Sequence, residues 1–568
     1  MANTNSNGKT LGILAGIAVV AAGAIGLGVF VTSNLGKTSY EISEEEATKK
    51  MERMLRNVNV TSTTPRKATV DFTGTDLANS LPEISEYPLT VVGDGQVNIE
   101  IIASPEKAGS GTDGWLNEAA KAFNSQRNRT SSGQTMSVSV RNISSGMASD
   151  YIVSGKYLPD AYTPSNSMWG AMAESKGAEL STEFGTDRLV GNVAGILLAD
   201  DMIKTLTADY GDITIETITE ATMDGKVSMG YTYPYTSSTG LNFLVSSLYS
   251  FDSSDPLSAS AVSSFQKFQA NVPFVCYTTQ QMRTAMSSGS LNACIMEYQT
   301  YSNDSSLQKK YKFIPFGVRH DNPLYEVGNI GLEKEEVLQT FTSYCLSDSE
   351  QKAASKYGFN QMNEYSANEP EFDAVTLLNA QQLWKEEKDS GKPVVAVFVA
   401  DVSGSMSGDP LNRLKTSLIS ASQYINSNNY IGLVSYSSDV TVNLPIAQFD
   451  LDQRSYFTGA VQDLTASGST CTYDAVLQGI KMLREAQETV PDAKLMLFVL
   501  SDGETNVGAS LRDISGVVGS LNIPVYTIGY NADLSELGTL SEINEAATID
   551  ADSEDVVYKL SALFNAQM

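Results

Sequence analysis

Apolar and polar positions along the chain alternate with two periods. The clearest case lies late, where the uninterrupted apolar run Val394 to Ala400 gives way at once to Asp401, Ser403, Gly404 and Ser405. Such a run, rich in β-branched residues, marks a central parallel strand covered on both faces. Past the loop, Leu411, Leu414, Leu418, Ala421 and Ile425 recur at three- and four-residue steps, which sets one apolar stripe on a helix able to cover that strand. "YIGLVSYSS", "KLMLFVLSDGETN" and "IPVYTIGY" read as further strands, "STCTYDAVLQGIKMLREAQ" as a helix with Thr470 at its head, and residues 537–565 as a closing helical segment. The same alternation begins at Gln96 with the strand "VNIEIIAS", the amphipathic helix "GWLNEAAKAFNSQ" and the strand "SVSVRNI", a unit that favours a parallel sheet. Similar units follow through "DAYTPSN", "SMWGAMAESKGAEL", "VAGILLADDMIKTL" and "YKFIPFGV". The fold class is α/β throughout the body of the chain. Residues 373–392 carry helical periodicity and end at Pro393, which places a connecting helix between one domain at 93–372 and a second at 393–568.

The amino terminus has neither period. Leu11 to Val31 contains no charge and no hydrogen-bonding side chain, and as a helix it spans about 30 Å, the hydrocarbon thickness of a bilayer. A transmembrane signal anchor at 11–33, after a short tail at 1–10, is expected. The run exceeds the usual apolar length of a cleavable signal, although cleavage near Val31-Thr32-Ser33 is the alternative and would leave a secreted protein. Lys9 precedes the span while Lys37, Lys49, Lys50, Arg53 and Arg56 follow it, against the positive-inside bias, but long domains cross largely regardless of charge. Residues 34–92 read as a polar stalk. Within it "DFTGT", Asp71 to Thr75, mimics the phosphorylated aspartate of ion-pumping ATPases, yet it lacks a preceding buried strand and reads as chance similarity.

Composition narrows the chemistry. At 568 residues the chain calls for two or three domains. A net charge of -28 excludes a broad basic surface and with it nucleic acid as a partner. The single histidine, His320, removes most histidine-dependent catalysis and most catalytic zinc chemistry. Cys276, Cys294, Cys345 and Cys471 show no C-x-x-C spacing, so neither a zinc site nor a disulfide scaffold is indicated, and one Cys276 to Cys294 bridge is the pairing left open. Cys471 reads as a small buried filler, and Trp115, Trp169 and Trp384 as packing residues. Glu297 faces either the cleft between lobes or a salt bridge.

Two sets of loop residues carry chemistry. In the first domain each strand ends in small hydroxyl residues, and ligands of open α/β sheets bind beyond the carboxyl ends of the strands. Ser104, Ser144, Ser145, Thr163, Ser165, Asn166, Ser238, Thr239 and Tyr298 occupy such places. This region, about Gln96 to Tyr365, resembles the extracellular solute-binding proteins of bacterial ABC transporters, with "GYTYPYTSSTGLNFL" as its best local element. The resemblance implies a two-lobed, periplasmic-binding-protein-like (type 2) domain that closes over a small solute. The acid-rich loop "ASPEKAGSGTDG" and the lack of an arginine among the candidates depart from the pattern of oxyanion receptors, and a lobe pair that binds no solute is the alternative.

In the second domain, Asp401, Ser403 and Ser405 follow one central strand, Thr470 begins a helix and Asp502 ends a neighbouring strand, so all five can converge on one sheet edge. They supply only oxygen. Two carboxylates with three hydroxyls suit a hard divalent cation, Mg²⁺ better than the carboxylate-rich cage calcium prefers, with Mn²⁺ or Ca²⁺ as alternatives. An EF-hand would need Gly and Glu where Met406 and Asn412 stand, and a nucleophile elbow would need Ser at Met406. "DVSGSM", "GSTCTYDAV" and "SDGETN" together resemble the metal-ion-dependent adhesion site of a von Willebrand factor A domain, covering about Pro393 to Met568 on a Rossmann-like doubly wound fold. The resemblance implies Ser403 and Ser405 as direct ligands, Thr470 as direct or water-mediated, and Asp401 and Asp502 as acting mainly through water. An acidic residue of a protein partner would complete the coordination. The leading expectation is therefore a membrane-anchored bacterial surface protein that binds a protein through this metal, with the bulk of the chain extracellular and the first domain as platform or sensor. A solute receptor serving a transporter is the alternative, and a metal-dependent hydrolase the weakest, because no general base is evident.

Overall fold

The computed structural model describes residues 42–70, 77–272, 274–276, 291–502 and 505–530, several short pieces after 537, and the strand Val29–Val31. Three sheets organise the described chain. One is six-stranded, with spatial order Leu89–Val91, Met136–Asn142, Val97–Ala103, Ala161–Thr163, Leu324–Val327 and Leu180–Thr186. The second is five-stranded, in the order Phe274–Cys276, Met229–Thr232, Ala293–Glu297, Ala194–Ala199 and Tyr311–Pro315. These two sheets form the two lobes expected of residues 93–372.

The third sheet has eight strands, ordered Val29–Val31, Ala547–Asp550, Val525–Gly529, Lys494–Ser501, Val394–Asp401, Tyr430–Tyr436, Val440–Gln448 and Val60–Ser62. Val394–Asp401 is wholly buried and runs parallel to both neighbours. Its two-residue period divides the core. Val395, Val397 and Val399 pack on one face with the helix Thr472–Gln487, while Ala396, Phe398 and Ala400 pack on the other with the helix Asp409–Ala421. Leu411, Leu414, Leu418 and Ala421 form the buried stripe of that helix as their spacing predicts, and Ile425 joins the same core just past its end.

The stretch read as a stalk is instead folded: residues 42–70 join this third unit, while Leu81 and Tyr87 pack in the lobe core and Leu89–Val91 is a strand of the six-stranded sheet. The helix Glu44–Leu55 is closed at its start by a capping box between Ser43 and Glu46, and it buries Ala47 and Met51 in the core that contains Val395 and Val399. Val60–Ser62 then adds a parallel edge strand to Val440–Gln448, and Arg66 and Lys67 reach Asp463 and Asp452 at 3.0 and 2.7 Å. The polar surface of this segment suggested a spacer, but an amphipathic helix needs only two buried positions to dock. The chain thus starts the third unit, leaves it to build both lobes, and returns at Val394. The helix Ala374–Glu387 makes the return, with Trp384 fully buried against Tyr233 and Tyr235.

The expected membrane helix is not supported. Of residues 11–33 only Val29–Val31 is described, and it is a strand antiparallel to Ala547–Asp550, in keeping with the strand preference of a Val-Phe-Val run. The rest of that segment, like the "DFTGT" motif, lies outside the described residues. Among the described residues no helix is long and apolar enough to cross a membrane. The Cys276 to Cys294 pairing is excluded by topology. Met229–Thr232 lies between the strands that carry them and their registers differ by two residues, so their Cα atoms are about 12 Å apart at ordinary strand spacing, beyond disulfide reach, and Cys294 is a free thiol.

Candidate functional site

The carboxyl end of Val394–Asp401 is where the third sheet becomes polar. Asp401 is fully buried, and its carboxylate is held from three sides. The backbone N–H of Ser403 donates to Oδ1 at 2.8 Å, and the hydroxyls of Ser501 and Tyr436 donate to Oδ2 at 2.7 and 3.3 Å. Ser403 Oγ lies 3.0 Å from Ser405 Oγ, which donates to Asp502 Oδ1 at 3.0 Å. Four of the five predicted oxygen donors are therefore linked in one continuous chain. Thr470 sits on the third loop of the same rim. Its carbonyl accepts the N–H groups of Asn506 and Val507, its own N–H donates to Asn506 Oδ1 at 2.9 Å, and the Gly404 N–H donates to the carbonyl of Gly468 at 3.0 Å. Gly468 has φ 79°, and a Cβ there would meet Ser438 Oγ at 2.7 Å, so glycine is required for this loop to lie against its neighbour.

The donor set fits a hard cation. Burial raises the Asp502 carboxyl above its ordinary range, the Ser405 hydroxyl opposes that shift, and the nearby Asp401 charge adds to it. A divalent ion at the rim would relieve this cost, and hydroxyls with carboxylates are the ligands such an ion takes. No group of three His, Cys, Asp or Glu able to hold a metal occurs among the described residues. The rim is instead a hydroxyl site with two acids. Cys471, next to Thr470, has its thiol pushed up to about 12 by burial, which suits a packing residue rather than a nucleophile.

A second polar site lies between the lobes. Ser104, Ser144, Ser145, Ser165, Ser238 and Thr239 line one cavity, together with Glu106, Asp113, Thr236, Ser237, Glu297 and Thr300. Three predicted residues do not line it. Thr163 is buried behind it, Asn166 is bonded to His320 Nε2 at 3.1 Å, and Tyr298 packs edge-on against Phe313 with ring centroids 5.0 Å apart. Reading loops by their hydroxyls missed Glu106 and Asp113, although both lie in the acidic loop whose composition departed from the expected pattern. The lobes meet directly across the cavity. Gly146 N–H donates to the carbonyl of Thr236 at 3.2 Å, and Trp169 Nε1 donates to Ser238 Oγ at 2.9 Å. Glu297 accepts from His320 Nδ1, Thr239 Oγ1 and Asn192 Nδ2 at 2.6 to 2.8 Å, so it lines the cleft and is hydrogen-bonded at once. Burial opposes ionisation of Glu106, but Lys107 and the hydroxyls of Ser104 and Ser165 outweigh it and hold its carboxyl below the ordinary range. Lys107, itself fully buried, is lowered to about 8.

An open, mostly parallel sheet between two helical layers, with an acid and hydroxyl rim at the strands' carboxyl ends, defines a Rossmann-like binding domain. Residues 396–563 match the family model of the von Willebrand factor type A domain, and the chain carries such a domain. Inter-alpha-trypsin inhibitor heavy chain H3 of Bos taurus is 32% identical over 160 residues, which cover 26% of this chain and 18% of that protein. The chain thus spans under a fifth of the curated relatives it matches. A von Willebrand factor type A structure from Catenulispora acidiphila is 20% identical, covering 31% of this chain and 41% of that one, with a TM-score of 0.27. For the two-lobed region, the periplasmic binding protein AfuA from Actinobacillus pleuropneumoniae is 12% identical, covering 51% of this chain and 98% of that one, with a TM-score of 0.39.

Proposed function

We propose that this chain is a cell-surface binding protein rather than an enzyme. Its type A domain captures a protein partner through a divalent cation, Mg²⁺ in the first instance, held at the Asp401 rim. The observation that carries this reading is the linked run of oxygens from Asp401 through Ser403 and Ser405 to Asp502, with the Thr470 loop bonded to both flanking loops. Ser403, Ser405 and Thr470 would offer hydroxyl oxygens to the ion. Asp401 orients Ser403 through its backbone N–H and, with Asp502, supplies negative charge close to the ion. The ion contributes an electrophilic position that a carboxylate of the partner can occupy. Ser405 is exposed while Asp401 and Ser403 are buried, so the rim is approachable from outside and rigid beneath.

Capture from surface extracts tests this reading. Partner retained by the full chain in Mg²⁺ should be released by chelator and absent with Ser403→Ala, while retention unchanged under both conditions contradicts it. A second reading is supported by the inter-lobe cavity, whose polar lining comes from both lobes: the two-lobed unit receives a small solute there.

A further inference from the structure

The cavity between the lobes has a definite chemical preference, and the argument for it rests on the second reading above. The space is about 40 Å³, room for about three water-sized groups. Its lining contains Glu106, Asp113 and Glu297 with hydroxyl oxygens, and no lysine, arginine, histidine or aromatic side chain. A fully deprotonated oxyanion would face three carboxylates against a single nearby cation, Lys107, which already bonds Ser104 Oγ and lies 3.6 Å from Glu106 Oε1. Helix starts at Ser145 and Ser238 attract anions in general. Here, however, one N–H of each start, that of Gly146 and that of Gly240, is taken by the Thr236 carbonyl and Ser237 Oγ, and Glu106, Asp113 and Glu297 share the space with both starts. A quaternary ammonium group would want an aromatic face that the lining lacks. One further group points to a ligand. Ser144 Oγ lines the cavity, is shielded from solvent and has no hydrogen-bond partner in the protein.

We infer that the cavity is a receptor for a small primary ammonium group. Three N–H donors match hydroxyl and carboxylate acceptors, the positive charge answers the acidic lining, and the group is small enough for the space between the lobes. Ser104 and Ser165 donate to Glu106 Oε1 at 2.5 Å each, which presents this carboxylate in a fixed position. The experiment is calorimetric titration of the full chain with methylammonium, ethanolamine and glycine, and in parallel with sulfate and phosphate. At least one ammonium probe should bind saturably and raise the melting temperature, and Asp113→Asn and Glu106→Gln should each weaken it about tenfold or more while circular dichroism is unchanged. Binding of sulfate or phosphate without any ammonium probe overturns the inference and leaves the solute-receptor reading standing. Binding of neither class overturns both. Ammonium binding that persists unchanged in both variants places the ligand elsewhere and also overturns it.

Discussion

The Asp401 rim and the inter-lobe cavity use the same construction, loops rich in serine and threonine that leave the carboxyl ends of parallel strands, and they finish in opposite states. At the rim, Asp401 is met by the Ser501 and Tyr436 hydroxyls and the Ser403 N–H, Asp502 by the Ser405 hydroxyl, and Ser405 is exposed. In the cavity, Glu106 has the buried Lys107 beside it, Glu297 is held by hydrogen bonds from His320, Thr239 and Asn192, and the opposite lobe bounds the space. The difference teaches what each can accept. An exposed rim with two acids suits an ion shared with a large partner, whereas a small cavity lined by both lobes, with three acids against the one cation Lys107, suits a cationic ligand of a few atoms.

The two regions also differ in how they are held, and substitutions separate them. Met51 is 2% exposed and belongs to the amino-terminal helix docked on the type A core. Met51→Ala should cost about 2–3 kcal/mol, read by chemical denaturation, and should loosen the type A unit while leaving the lobes unaffected. Equal loss in both units would show that they unfold as one. Gly146 is the converse case. A Cβ there would lie 2.3 Å from the Tyr235 carbonyl and 2.7 Å from Trp169, so Gly146→Ala should force the lobes apart at a cost of about 1–3 kcal/mol. Small-angle scattering should then report a larger radius of gyration with the Asp401 rim intact. An unchanged radius would mean that the lobes do not close through this contact.

Much of the type A site was legible because its three segments each join a recognisable strand or helix to a polar loop. Asp401 and Asp502 end apolar runs, and Thr470 precedes the helix Thr472–Gln487. Their convergence follows from parallel strand order alone. Six of the nine residues predicted for the cleft by the same logic line it. Tyr298 was misplaced because an aromatic at a strand end packs as readily as it lines a cleft, and here Tyr301 and Phe313 surround it. The amino-terminal segment was not legible, since what fixes it are contacts across more than 370 positions, such as Lys50 Nζ to the carbonyl of Asp513 and Arg66 to Asp463. Local pattern carries no information about partners so distant, and a mostly polar helix with two buried positions looks like a spacer until its partner is known.

The most direct measurement is titration of Mg²⁺ into the full chain by calorimetry, with Ser403→Ala and Asp502→Asn beside the parent. The account predicts one saturable site in the parent and its loss in both variants, with their folds retained by circular dichroism. Saturable binding of equal strength in all three proteins would contradict it, as would a parent that binds no divalent ion.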